Sequence, residues 1–405
     1  MAQQIRPGTA EELREVVAWA AAEETPLEIL GAGSKRTFGR AVEAETEVAL
    51  AGLAGIDLYE PAELVMSAKA GTPIAEIDAR LAENHQQLAF DPPDYGVLLG
   101  GAAGRGTIGG VIACNLSGPR RIKAGAARDH FLGVQAVTGR GDLIKSGGRV
   151  VKNVTGYDLC KLFAGSFGTL VAMTEVTFKV LPAAEHETTL LLRARTRDAG
   201  FMALRTAMNS AGDVAGAAYL PAAAAGRSAV SAVAAVGADL AALRLEGPAP
   251  SVRERAERLQ ALLKADGELD ELAPTESATL WREIRDVALL PPTIPLWRVS
   301  APPAVGAPLL DALERVLRLA WLADWAGGLL WLAVDDAADA GAAEIRRALL
   351  EPGGHGTLIR GSAELRAVVP VFQPQGAALA RLSARVKDSF DPKRILNRGR
   401  MYAEA

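Results

Sequence analysis

Three features of the sequence predict an α+β fold in two domains. Through the first ninety or so residues, helix-like and strand-like segments follow the order α, β, loop, β, β, α, β, which is not the regular repeat of a doubly wound sheet. Between Gly96 and Pro182 glycine is dense, as it is where backbone approaches a ligand or takes positive φ. From His186 onwards alanine dominates and strands alternate with helices, which predicts antiparallel strands covered by helices on one face. The expected division is 1–183, 184–374 and a tail, 375–405, docking on the first domain.

The elements follow from local signals. Thr9-x-x-Glu12 forms a capping box, and Leu13, Val16, Val17, Ala20 and Ala21 repeat at helical period, so a helix covers about 10–24. Pro26 ends it. Leu27–Leu30 is a short apolar strand, and further strands are expected at 47–50, 57–60 and 64–70. Thr72-Pro73 opens a helix to about Glu83, and 87–90 reads as a strand stopped by Asp91-Pro92-Pro93. Segments 131–137 and 143–146 flank Thr138-Gly-Arg-Gly-Asp142 as a hairpin. A short helix runs from about 156 to 163, and a strand with alternating burial follows, closing at Pro182. In the second domain, strands are expected at 188–194, 214–220, 240–246, 296–300, 329–334 and 357–360. Helices are expected at 198–210, 251–265, 276–287, 306–322 and 339–350, and one more, in the tail, through Lys387. Trp321, Trp325 and Trp331 form either core or a docking surface.

Composition narrows the function. The chain has 405 residues and a net charge of −4, with a pI near 5.8, and an acidic balance disfavours nucleic acid as the partner. The longest apolar region, Leu317–Val334, is broken by Arg318, Asp324, Gly327 and Gly328, so no membrane span is expected. The start of the chain lacks the apolar core of a signal peptide, which with only Cys114 and Cys160 points to a reducing cytoplasm. Two cysteines are too few for a four-thiolate iron–sulfur cluster. His85, His130, His186 and His355 lack metal-ligand spacing.

Two stretches carry the chemistry. Leu27–Leu30 empties into Gly31-Ala32-Gly33-Ser34-Lys35-Arg36-Thr37-Phe38-Gly39, a candidate phosphate clamp or an ordinary glycine turn with a solvated lysine. Gly104-x-Gly106-x-x-Gly109 matches the dinucleotide fingerprint in letters but lacks the strand before it and the acidic residue after the next strand. The glycines, with Thr107, Asn115, Ser117, Ser166 and Thr169 among them, read as a nucleotide cradle or as a set of turns. On the cradle reading, Gly109→Val or Gly168→Val is expected to abolish ligand binding more than folding.

Gly31–Gly39, Thr107–Gly118, the run from Gly147 to Tyr157-Asp158-Leu159, Gly165-Ser166-Phe167-Gly168-Thr169-Leu170 and Phe390-Asp391-Pro392-x-x-Ile395-Leu396-Asn397-x-Gly399 together resemble the vanillyl-alcohol-oxidase family of FAD-linked oxidoreductases. Within it the likeness is to the flavin subunits of bacterial glycolate oxidases. The resemblance implies a two-subdomain FAD-binding domain of the p-cresol-methylhydroxylase (PCMH) type, an α+β cap and a C-terminal segment returning to the flavin. It implies pyrophosphate on Gly31, Ala32, Gly33, Ser34, Lys35, Arg36, Thr37, Phe38 and Gly39. The ribityl and flavin would lie on Thr107, Ile108, Gly109, Gly110, Asn115, Ser117 and Gly118, and the adenine side on Gly165, Gly168 and Val171, with Pro92 and Asn397 completing the set. FAD is expected to be non-covalent, because the loop position that carries a linking histidine in some relatives has none here. The implied partners are a larger FAD-binding catalytic subunit and an iron–sulfur subunit, with glycolate, a small 2-hydroxy acid, oxidised to glyoxylate and placement in the cytoplasm, peripheral at the inner membrane through the complex; a stand-alone FAD-dependent D-2-hydroxyacid dehydrogenase and a non-catalytic scaffold subunit are the alternative readings. The cap lacks the histidine-rich segment of larger catalytic relatives. Oxidation of a 2-hydroxy acid needs a base and a cation for the carboxylate, for which His355, Arg298 and Arg360 are the candidates.

Overall fold

The computed structural model describes residues 3–42, 44–149, 156–335 and 338–403. It divides into two compact units: residues 1–117, 125–183 and 374–405 form the first, and 118–124 with 184–373 the second.

In the first unit, the helix Ala10–Ala22 is capped by Thr9, whose hydroxyl accepts from the Glu12 amide. Its buried Leu13, Val17 and Ala20 pack with Leu27, Val48, Val137, Ile395 and Leu396, the apolar stripe that the spacing predicts. Three parallel strands lie in the order Gln3–Ile5, Thr46–Ala49, Leu27–Leu30. A five-stranded antiparallel sheet runs Ile56–Glu60, Val65–Lys69, Val171–Lys179, Phe131–Thr138, Leu143–Gly147. The expected strand at 87–90 contracts to Gln86–Gln87.

Ile108–Cys114 is a helix that the sequence does not announce, because Gly109 and Gly110 fill its first turn and glycine is a poor helix former. Packing decides it. The Gly109 amide donates to Ala70 O at 2.8 Å, and a Cβ at Gly109 would sit 2.7 Å from both the Cβ and the O of Ala70.

The tail is the third component of this unit. Its helix, Ala377–Phe390, delivers Lys387 and Asp391 to the interior, where Lys387 Nζ donates to Asp391 Oδ2 (2.7 Å), Thr169 O (2.6 Å) and Leu396 O (2.9 Å). The chain then runs parallel to Leu27–Leu30: the Leu27 amide donates to Ile395 O (2.7 Å) and the Asn397 amide to Leu27 O (3.0 Å).

The second unit is built on one eight-stranded antiparallel sheet in the order Gly267–Leu272, His186–Ala194, Leu240–Gly247, Gly216–Leu220, Arg318–Asp324, Leu329–Asp335, Leu296–Ser300, His355–Arg360. Two of these strands differ from expectation. Gly267–Leu272 is an edge strand whose Glu and Asp residues gave no apolar alternation. The helix expected over 306–322 ends at Glu314, and Arg318–Asp324 is a strand. There Trp321 stacks on Tyr219 at 5.7 Å and donates its indole N–H to Glu314, so tertiary contacts override local helix propensity.

Trp321, Trp325 and Trp331 are all buried, which makes them core and removes them as a docking surface. Gly118–Ala124 lies with the second unit, held by Arg120 to Glu246 (2.8 Å), Lys123 to Asp213 (2.7 Å) and a hydrogen bond from Trp325 Nε1 to Gly118 O (3.1 Å). Among the described residues, no helix is long and apolar enough to cross a membrane.

Candidate functional site

The first unit contains a cleft whose empty space, counting the part open to solvent, is about 730 Å³. One wall is Gly31–Arg36 with Phe38; another is Thr107, Gly109, Gly110, Ala113 and Cys114; Phe167, Gly168, Val171, Met173, Asn397 and Arg400 close it. The strand Leu27–Leu30 aims the glycine loop, and Gly31 presses so close to Thr107 that a Cβ would lie 2.4 Å from its hydroxyl. Gly33 has φ of +76°, and its Cβ direction is open. Among the described residues, the amides of Gly31, Ala32, Gly33 and Ser34 have no acceptor. A run of unsatisfied amides in a glycine loop forms an anion-binding concavity.

Lys35 sets the charge of this concavity. Its half-buried ammonium donates to Ser34 Oγ at 3.1 Å, and among the described residues it has no carboxylate within ion-pair distance. Burial lowers its pKa, with Cys114 and Asp94 pulling weakly the other way. The neighbouring arginines are differently placed: Arg36 pairs with Glu28 at 2.5 Å and with Glu47, while Arg400 donates to Glu28 (2.7 Å) and to Arg36 O (2.7 Å). They brace the loop, and among the described residues Lys35 is the lining cation without an ion pair.

Asn397 joins three segments. Its Oδ1 accepts from the Ile29 amide (2.8 Å), and its Nδ2 donates to Phe167 O (2.8 Å) and Ile29 O (3.3 Å).

Of the expected cofactor residues, Gly31, Ala32, Gly33, Ser34, Lys35, Arg36, Phe38, Thr107, Gly109, Gly110, Gly168, Val171 and Asn397 line the cleft. Thr37, Gly39, Pro92, Ile108, Asn115, Ser117, Gly118 and Gly165 do not. Asn115 Oδ1 accepts from the Arg128 amide and Ser117 Oγ from the Ala127 amide, so both organise the turn at 125–130. The Gly165 amide donates to Ile112 O, Gly39 packs on Arg400, and Gly118 belongs to the second unit. A Cβ at Gly168 would meet Asn397 Nδ2 at 2.8 Å. At Gly109 and Gly168 an added Cβ would thus meet neighbouring protein atoms, whereas at Gly33 it would meet none. Of the Gly147–Leu159 run, residues 150–155 lie outside the described residues. Phe167, Cys114 and Arg400 also line the cleft; the first two sit inside the motifs quoted above, and Arg400 directly follows the last of them.

In the second unit, the three expected catalytic residues separate. Arg360 Nε donates to Ile294 O (2.9 Å) and its terminal nitrogen to Pro291 O (2.6 Å), a loop-holding role. Arg298 lies over the Trp325 ring at 5.1 Å, and Arg121, which no motif singled out, lies over the same ring at 4.3 Å. His355 opens the strand paired beside Arg298. Desolvation by surrounding chain, then the charges of Arg298 and Arg121, lower its pKa, although its own ring keeps solvent exposure. A neutral imidazole beside guanidiniums can accept a proton and keep an anion close.

Residues 1–147 match a family model described as an FAD binding domain. The chain is 35% identical over 97% of its length, and 97% of the relative's, to glycolate oxidase subunit GlcE of Escherichia coli (strain K12). It is 29% identical to glycolate oxidase subunit GlcD of Bacillus subtilis (strain 168) over 74% of this chain and 68% of that one. Among solved structures, 4-ethylphenol oxidase from Gulosibacter chungangensis superposes with a TM-score of 0.73 at 14% identity, covering 99% of this chain and 89% of that one. p-Cresol methylhydroxylase gives 0.70 at 16%, covering 99% and 88%. The last two establish the fold alone: a PCMH-type α+β architecture.

Proposed function

The chain belongs to the family of the glycolate oxidase subunit GlcE, and from that premise we propose that it is the FAD-binding subunit of a glycolate oxidase, oxidising glycolate to glyoxylate within a complex. The observation that carries the reading is the concurrence of whole-length identity to GlcE with a cleft of unsatisfied amides and an ion-pair-free lysine. That donor set fits a pyrophosphate: the Gly31–Ser34 amides and Lys35 would hold its two charges, and Asn397 would fix the loops around it. FAD, when bound, supplies the two-electron acceptor that no side chain offers. In the second unit, neutral His355 takes the hydroxyl proton, Arg298 holds the carboxylate, and Arg360 holds its loop.

FAD binds non-covalently on this reading. Cys114 is the one cysteine lining the cleft, no histidine lines it, and burial pushes the Cys114 thiol up to about 11, leaving little thiolate to attach a flavin. Partners are a larger FAD-binding subunit and an iron–sulfur subunit, since Cys114 and Cys160 cannot ligate a four-thiolate cluster. The test is to purify the chain with its co-purifying subunits, count flavin per chain after acid release, and assay glycolate-dependent reduction of a quinone-type acceptor. Flavin in the complex, released intact, with glycolate turnover is expected. A colourless chain, or glycolate turnover indifferent to removing it from the complex, refutes the reading.

A further inference from the structure

Between the strands ending at Asp324 and beginning at Leu329, the chain reverses through three consecutive residues with left-handed φ: Trp325 (52°), Ala326 (56°) and Gly327 (94°). For the two non-glycine residues this conformation costs on the order of 1 kcal/mol each, and strain of this kind persists where the surroundings fix it, often at ligand clamps. Here the fixing groups are identifiable. Buried Asp324 accepts from the Trp325 amide at 2.7 Å, and the indole N–H donates to Gly118 O at 3.1 Å. The strained turn thus presents one indole ring to two guanidiniums from separate parts of the chain, Arg121 at 4.3 Å and Arg298 at 5.1 Å. On either side of Arg121, Arg120 and Lys123 are tied to Glu246 and Asp213, so the segment carrying Arg121 is anchored at both flanks. Two guanidiniums therefore meet one indole whose neighbour in the chain is the buried Asp324 carboxylate, and both lower the pKa of the His355 imidazole, a donor set suited to a small carboxylate.

We infer that Arg121 is a second carboxylate-binding residue of the 2-hydroxy acid site, acting with Arg298 on the Trp325 platform beside His355. This rests on the functional reading above and names a residue that reading does not use. Arginine suits the role because its planar fork can pair both carboxylate oxygens while its face stays on the indole, which lysine cannot reproduce.

The experiment titrates the FAD-loaded full chain anaerobically with glycolate, D-lactate and oxalate by calorimetry, and with glycolamide as the uncharged control. Arg121→Gln is expected to weaken oxalate and glycolate about tenfold or more, the scale of a lost charge-assisted hydrogen bond. Arg121→Lys recovers part of the loss, and glycolamide binding is unchanged in both. In the complex, the glutamine variant raises KM for glycolate with kcat within about threefold, a loss of binding that ground and transition states share. If Arg121→Gln fails to fold, as judged by flavin content and Tm, the lysine variant decides by the same titrations. Unaltered oxalate and glycolate affinity in a folded variant, while the parent chain binds them, overturns the assignment of Arg121 and leaves the proposed function standing. If neither the parent chain nor the parent complex binds any of the three anions, both readings fall.

Discussion

Replacing Lys35 with methionine separates a ligand-binding role from a structural one, because the two make opposite predictions for the empty protein. The side chain keeps most of its length, but loses an ammonium that is half-buried, hydrogen-bonded to Ser34 Oγ and, among the described residues, without a carboxylate partner. Burial is the main cause of its lowered pKa, so the charged form is disfavoured in the folded apoprotein. The sign follows: between the depressed folded pKa and the unfolded value of about 10.4, the unfolded chain holds the proton and the folded chain does not, so this lysine's penalty is relieved as pH rises through that window. Below the depressed folded pKa the penalty is present in full. Lys35→Met is therefore expected to leave the apoprotein as stable as the parent, or more stable. FAD binding moves the other way. A hydrogen bond from an ammonium to phosphate contributes about 1.5–3 kcal/mol, and the desolvation that usually offsets it is already present in the empty cleft. The expected loss is about 2 kcal/mol, or roughly 30-fold in Kd. Titration of apoprotein with FAD, followed by quenching of flavin fluorescence, measures the affinity, and urea unfolding of the apo form measures stability. Affinity of the parent should also fall as pH climbs through the depressed pKa, and that dependence should vanish in the variant. A change in Kd under about twofold, or an apoprotein destabilised by more than about 1 kcal/mol, would refute the assignment.

The glycines divide by what their missing side chain would meet. Gly33→Val is expected to lose FAD while urea unfolding of the apoprotein shifts by about 1–2 kcal/mol, the cost of a left-handed φ; Gly109→Val, colliding with Ala70, should lower soluble yield and Tm outright, and equal effects from the two would sink the distinction. Asn397→Ala removes the link between Ile29 and Phe167 and should cost about 2–4 kcal/mol in unfolding free energy, from two or three lost hydrogen bonds and the groups left unpaired; FAD should dissociate faster. Arg360→Gln should lower Tm with KM for glycolate unchanged, since its bonds are to Ile294 O and Pro291 O. His355, with its lowered pKa, stays a base below the ordinary histidine range, so kcat/KM should fall only as pH drops through a value under about 6.5, and a profile breaking well above that would remove it as the base.

Sequence alone determined what depends on neighbours along the chain. The helix at Ala10–Ala22, the strands at Leu27–Leu30 and Leu296–Ser300, and the hairpin around Gly139–Gly141 follow from caps, periodicity and turn residues, which act over a few positions. The glycine loop with Lys35 was legible for the same reason: one short stretch holds its amides and its cation. Tertiary structure decided whatever depends on which groups arrive from far away. Gly109 and Gly110 read as loop until Ala70 is placed beside them, and Arg318–Asp324 reads as helix until Tyr219 and Leu329–Asp335 flank it. Burial turned the tryptophans from a possible docking surface into core, and gave Asn397 partners 368 and 230 residues away. Arg298 and Arg360 are both arginines on neighbouring strands with no local signal to tell them apart; only the fold shows one over an indole and the other tied to backbone carbonyls. Arg121 carried no motif at all, because what marks it is the Trp325 ring beneath it, brought there by a sheet that closes two hundred residues later.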